Sequence, residues 1–265
     1  MYPNPLKAVI RNLTENVVIA STPFTRMSIL NFGARMTLFK YDNEIIVWSA
    51  IPYGDEVVRA LKQLNGTEDN FNVTHIIIPD SVHTMAVDSF RKPFPKIKVI
   101  GMDGLKTKVD YVIDDKLANK LIDKSVLASM GVESPAVLNN FEFVYIPQHQ
   151  NRELLMFDKN SKFLCQADLL LMLGPSNNKL EQYSEELGYK KDFNPHGGLS
   201  YLTRFSHPDS KRFKNLVNKI TKTNLPEVKE SLKIIYNWDF TSIIPCHGNV
   251  EEDGKSYFKK YFDFL

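Results

Sequence analysis

Four apolar runs of this chain end in side chains that can hold a metal ion or move a proton. Asp80 and His83 follow Ile76-Ile77-Ile78-Pro79 within Thr74–Phe90, THIIIPDSVHTMAVDSF. His149 follows FVYIPQ, Asp168 follows FLCQA, and His247 follows SIIPC. Imidazole nitrogens and carboxylate oxygens together suit zinc, iron or manganese. The same groups serve as general acids and bases. Three of the six histidines fall one to four residues beyond an apolar run. In layered α/β proteins such strand ends are where side chains converge. A shared polar site built from Asp80, His83, His149, Asp168 and His247 is therefore expected. The other histidines carry less: His75 lies inside a strand pattern, His207 precedes Pro208, and His196 sits in the turn-rich NPHGG.

Strands must deliver these groups. Val17–Ala20 is β-rich, and Ser21–Asn31 reads as a loop. Ala34–Tyr41 and Glu44–Ser49 flank Asp42-Asn43, a two-residue hairpin signal. Asp55 is expected to cap a helix in which Val57, Val58, Leu61 and Leu64 share a face, and Gly66 lies just beyond its end. Val73–Pro79 is the central strand; a helix is predicted over Thr84–Phe90, and Lys98–Gly101 and Asp110–Ile113 are further strands. Leu117–Ser129 has mixed helical character. The second half opens with Phe141–Pro147, Glu153–Asp158 and Phe163–Met172, all strand-like. Gly174–Gly198 is long and polar and is read as a lid loop. Asp209–Thr221 and Pro226–Asn237 read as helices, Thr241–Pro245 as the last strand, and SYFKKYFDFL as a helix docking on the core. Alternating strands and helices argue for α/β layers rather than an all-β sandwich.

Composition narrows the function. The 265 residues are 43% hydrophobic and nearly charge-balanced at +2, with 33 basic and 31 acidic residues. The lysines are scattered, which argues against a nucleic-acid partner. No apolar run reaches the roughly 18 residues of a membrane span, and the start MYPNPLKAV does not resemble a secretory leader. Cys165 and Cys246 form no CxxC pair and each lies in an apolar run; buried free thiols in a reducing cytoplasm are expected. A small-molecule partner remains, and the sequence does not specify an oligomeric state. Neither GxGxxG, GxxxxGK[ST] nor GxSxG occurs after a predicted strand, which weakens nucleotide and serine-hydrolase readings.

Over about residues 15–250 the chain resembles the metallo-β-lactamase-fold hydrolase superfamily. ARMTLFKYDNEIIVWSAIP resembles its opening strands, and THIIIPDSVH resembles the stretch that holds its HxHxDH motif. VYIPQHQNRELLMFDKNSKFLCQADLL resembles the segment carrying its third histidine and shared aspartate, and IIPCHG its final histidine motif. The resemblance implies a four-layer αββα sandwich of two mixed sheets, formed by residues 1–265 as one domain, with the site along one sheet edge. Matched position by position, HxHxDH falls on Ile78, Asp80, Val82 and His83. The later motif residues are His149, Asp168 and His247. Isoleucine and valine ligate no metal, so the motif is degenerate. What it leaves is one divalent transition metal, zinc foremost, on His83, Asp168 and His247. Asp80 and His149 then remain as catalytic groups, as orienting partners, or as extra ligands. A metal-dependent hydrolase of an ester, thioester, amide or phosphoester is one implied function. The other is a metal-free, inactive relative that binds a small molecule.

Overall fold

The computed structural model describes residues 1–66, 70–175 and 179–265. One sheet contains β1 (Val9–Thr14), β2 (Val17–Thr22), β5 (Ala34–Tyr41), β6 (Glu44–Trp48), β7 (Val73–Ile77), β8 (Lys98–Met102) and β9 (Tyr111–Ile113), adjacent in that order. Its β1, β2, β5 and β6 pair antiparallel, whereas β6 to β9 run parallel. Between β2 and β5, β3 (Thr25–Arg26) and β4 (Leu30–Asn31) form a separate small ribbon. The second sheet contains β10 (Leu121–Ile122), β11 (Phe141–Ile146), β12 (Glu153–Asp158), β13 (Phe163–Gln166) and β14 (Ser242–Pro245). It too is mixed, because β13 and β14 pair in parallel.

Strand alternation builds the layers. Val17 and Ile19 of β2 share one core with Phe39, Trp48 and, from the other sheet, Phe143 and Tyr145. Val18 and Ala20 turn the opposite way and pack with Val57 and Leu61 of α1 (Asp55–Asn65). In the second sheet, Val144 and Ile146 face outward onto Val228, Leu232 and Ile235 of α5 (Pro226–Asn237). Val217 of α4 (Lys211–Thr221) and Phe258 of α6 (Gly254–Tyr261) join that outer layer. The expected αββα sandwich is therefore present. Two short helices depart from it: α2 (Lys124–Ser129) and α3 (Pro135–Asn140) place Leu127, Ala136 and Val137 in the layer between the sheets.

Local differences have local causes. Asp42 and Asn43 both take positive φ, 48° and 61°, as the hairpin signal requires. Asp55 is the first residue of α1 rather than its cap, which is Gly54. Of the helix expected over Thr84–Phe90, only Val87–Phe90 is regular, and it is a 3-10 turn; Pro93 and Pro95 follow too closely for an α-helix to extend. Asp123 ends the strand-like Leu121–Ile122 and starts α2 by accepting from Ser125 and Val126 N–H. Cys165 and Cys246 are buried and free. Among the described residues, no helix is long and apolar enough to cross a membrane.

The loop read as a lid begins at Gly174, and its residues 176–178 lie outside the described residues. Further along it, Leu180, Gln182 and Tyr183 are buried. Glu181 accepts from Arg35 Nη2 at 3.0 Å and Arg11 Nε at 2.9 Å. Gln182 donates to the Gly248 carbonyl at 2.8 Å. This stretch is packed down on the sandwich.

Candidate metal centre

The loop after β7 is wrapped around Asp80. One oxygen, Oδ1, accepts from Val82 N at 2.8 Å, His83 N at 2.9 Å and His83 Nδ1 at 2.8 Å. A carboxylate oxygen only accepts, so His83 carries a proton on Nδ1, and its neutral form presents Nε2 as a lone pair. Ser81 ties the same loop to the next one, donating from N and Oγ to the Asn151 carbonyl.

His247 leaves the end of β14 and is oriented in the same sense. Its Nδ1 lies 2.7 Å from the Gly33 carbonyl, which can only accept, so Nε2 is again the free atom. Gly33 has φ +68°, and a Cβ there would stand 2.5 Å from Gln182 Cγ. The carbonyl that holds His247 is thus set by a position that only glycine fills easily. Arg35, fully buried, fixes the other side of this strand end by donating Nη1 to the Pro245 carbonyl at 2.7 Å.

Asp168 follows β13. Its backbone N–H and that of Ala167 donate to the Glu153 carboxyl, the latter at 2.7 Å. Its Oδ2 accepts from Asn151 Nδ2. Its Oδ1 is buried, lies 3.2 Å from His247 Nε2, and has no hydrogen-bond partner among the described residues.

His83, Asp168 and His247 therefore meet, with one ligating atom from each lying within 4.8 Å of the others. The two Nε2 atoms are 3.1 Å apart. Three lone-pair-bearing atoms directed at one point repel one another unless a positive charge, a proton or a metal ion, sits among them. The protein's own charges favour one there. Burial alone would push the His83 imidazole down, but the Asp80 charge and hydrogen bond, with Asp168 behind them, take it up to about 9. Burial likewise opposes ionisation of Asp168, and the facing His247 and His83 with the Asn151 amide outweigh it, holding the carboxyl below its usual range. Two imidazoles, one carboxylate and an open side are a donor set that fits a divalent transition metal.

The remaining expected residues lie close by in different states. Asp80 is completely buried, and its Oδ2 has no partner among the described residues. His149 is buried, and its Nδ1 accepts from Asn151 N at 3.3 Å. An N–H can only donate, so this ring carries its proton on Nε2, opposite to His83 and His247. That Nε2 has no partner among the described residues, and burial lowers the imidazole's pKa despite the Asp168 and Asp80 charges. His149 is not part of the three-atom cluster. Of the two departures from the family motif, Ile78 is buried in the apolar layer under α1, and Val82 is 42% exposed. His196 bonds Thr203 Oγ1 at 2.7 Å, away from the cluster.

Sequence reasoning misses Glu153, Asn151, Gly33 and Arg35. Glu153 is completely buried; burial first, then the Asp80 and Asp168 charges, push its carboxyl well above the usual range. The available signals were an acid opening the apolar run ELLMFD and an arginine inside the strand ARMTLFKY.

Over the cluster lies a cleft of about 200 Å3. Phe24, Phe32, Val82 and Met85 line it together with His83, Asp168 and His247. No described residue of the 174–198 loop is among its lining.

No protein-family model matches the chain, and no curated protein matches it in sequence. Solved structures do match. DIM-1 metallo-beta-lactamase exposed to ceftazidime superposes with TM-score 0.57 at 11% identity, over 99% of this chain and 97% of that one. A metallo-beta-lactamase from Hirschia baltica gives 0.56 at 11%, over 96% and 95%. FIM-1 from Pseudomonas aeruginosa, in its mono-zinc form, gives 0.56 at 10%, over 97% and 93%. At such identity the likeness speaks for architecture alone, and it runs the length of both chains: this protein has the metallo-β-lactamase fold.

Proposed function

We propose that the chain is a metal-dependent hydrolase with a mononuclear site on His83, Asp168 and His247, acting on a small molecule in the cytoplasm. One observation carries the reading: the three facing lone-pair atoms, each held from behind by a dedicated partner. Asp80 holds His83, the Gly33 carbonyl holds His247, and Glu153 with Asn151 holds Asp168. Such backing groups fix tautomer and direction, which is what a ligand set requires. Bound there, a divalent ion supplies an acidified water and polarises the scissile group. We assign His149, a neutral ring with its N–H on the unpartnered Nε2, the part of a hydrogen-bond donor beside the cluster. Asp80 has its inner oxygen committed to three donors, so its role is to orient His83. FIM-1, whose structure is a mono-zinc form, offers a precedent for one ion on this architecture.

The test is metal titration of the purified chain. One equivalent of zinc should bind, and His247→Ala and Asp168→Ala should each abolish tight uptake. Less than about a tenth of an equivalent of any transition metal would favour the second reading, a metal-free binding protein. The specific support for that reading is Ile78 and Val82 standing at two family ligand positions.

A further inference from the structure

The cleft above the cluster has a composition that selects among the substrates a hydrolase could take. Of its eleven lining residues, seven are apolar or aromatic, and three of the other four are the cluster itself. Arg26 is the only further charged residue in that lining. The apolar wall begins at the cluster: the Phe32 ring meets the His247 ring edge-on at 5.6 Å, and Phe24 lies 6.5 Å from it. At the rim, Met85 is 66% exposed and Val82 42% exposed. Beyond the cluster, a polyanionic or sugar arm would lose water and find one guanidinium in return, which is unfavourable. A hydrocarbon arm would lose nothing and gain burial.

Resting on the hydrolase reading, we propose that the substrate is a neutral acyl compound, taken as an ester or thioester, whose short apolar arm fills this cleft. The cleft's 200 Å3 is about six or seven water-sized volumes of roughly 30 Å3 each. A methylene is of similar size, so an arm of about six to eight non-hydrogen atoms saturates it. In the reaction the oxygen of water bonds to the acyl carbon and the bond from that carbon to oxygen or sulfur breaks. One water proton ends on the departing alcohol or thiol, and the products are a carboxylic acid and that alcohol or thiol. Phe24, Phe32 and Met85 set the arm length, and Arg26 lies within reach of a polar group at its mouth.

The experiment uses the full, zinc-loaded chain and a homologous series of N-acetylcysteamine thioesters from acetyl to dodecanoyl. Beside it, ligand-observed NMR follows binding of N-methyl alkanamides of the same lengths, with and without zinc. kcat/KM and affinity should rise about fourfold per methylene, the roughly 0.8 kcal/mol of a buried CH2, and level off near the hexanoyl to octanoyl arm. Met85→Glu, at an exposed rim position, should flatten the length dependence, and Met85→Leu should restore it. Amide binding that follows length, with no thioester turned over, removes the hydrolase reading and keeps the cleft assignment. Turnover with no length dependence in either series overturns the cleft assignment and keeps the hydrolase. Phenyl phosphate binding more tightly than N-methylbenzamide to the zinc-free chain also overturns it.

Discussion

Replacing Asp80 by asparagine and by alanine separates orientation of the cluster from stability of the loop. Asp80 Oδ1 accepts three donors, two from backbone and one from His83 Nδ1, and the residue has no exposure. Asparagine keeps a carbonyl oxygen in that place, so all three donors retain an acceptor. What it removes is the charge. Hydrogen bonds to an ionised acceptor contribute about 1.5–3 kcal/mol against about 0.5–1.5 for neutral ones, so the hold on His83 weakens by about 1–2 kcal/mol. Loss of a backing carboxylate typically costs about 10–100-fold in metal affinity, the same range. Alanine instead strips the part-buried Val82 and His83 N–H groups of their acceptor, at about 1 kcal/mol each, the low end for an unmade bond, or about 2 kcal/mol of folding stability. Zinc affinity by chelator competition and urea unfolding of the metal-free chain read the two effects separately. Asp80→Asn should lose about 10–100-fold in affinity with a nearly native urea midpoint, whereas Asp80→Ala should lose both. An Asp80→Asn protein within about threefold of wild-type zinc affinity would refute the orienting role.

Further substitutions probe the supports of the cluster and a histidine outside it. Gly33→Ala adds a left-handed strain of about 1–2 kcal/mol and a Cβ 2.5 Å from Gln182 Cγ; both the melting temperature and zinc affinity should fall, because the displaced carbonyl is the one that orients His247. Arg35→Leu strips the Pro245 carbonyl and Glu181 of a buried guanidinium, and urea unfolding should show about 3–5 kcal/mol lost; a loss below about 1 kcal/mol would mean Arg11 alone suffices for Glu181. His75, stacked 6.0 Å from Tyr111, has its pKa pushed down to about 4 mainly by burial. The folded form therefore prefers the neutral ring, so its contribution is complete above the unfolded value of about 6.5 and is lost as pH falls toward 4. Between pH 6.5 and 5 the metal-free wild type should lose about 1.5 kcal/mol more than His75→Phe; parallel pH profiles would show that the His75 ring is not held neutral by the fold.

The strands and the hairpin are legible in the sequence because they rest on local signals; the four-layer arrangement is legible only through the resemblance to the metallo-β-lactamase-fold superfamily. A β-branched run marks β2, two-residue alternation marks β11, and Asp42-Asn43 writes its own turn. The residues His83, Asp168 and His247 are legible for a related reason: each follows a buried strand closely, and strand ends on one edge are close in space. Glu153 is hidden because its partners, the Ala167 and Asp168 N–H groups, lie fourteen and fifteen residues away and belong to another loop. In sequence it is one more acid before an apolar run. Arg35 is hidden likewise: a charge in mid-strand makes sense only once Pro245, 210 residues later, lies beside it. The helix expected at Thr84–Phe90 fails through its surroundings, since prolines at 93 and 95 leave room for one 3-10 turn.

His149 and His247 show where sequence signals end. Each follows an apolar strand and a proline, and each is buried beside the same aspartate. Their difference lies in one backbone group apiece. An N–H from Asn151 faces His149 Nδ1, and a C=O from Gly33 faces His247 Nδ1. A ring nitrogen opposite an N–H must be the lone pair, which sends the proton to Nε2; opposite a C=O it keeps the proton and frees Nε2 for a cation. The two rings thus differ by the direction in which a neighbouring peptide points. For His149 that peptide is two residues along a tight turn, and for His247 it is 214 residues away in a loop shaped by a glycine at φ +68°. Residue type and strand-end spacing bring five candidate groups to one edge, but the peptide behind each of these two rings decides which nitrogen carries the proton.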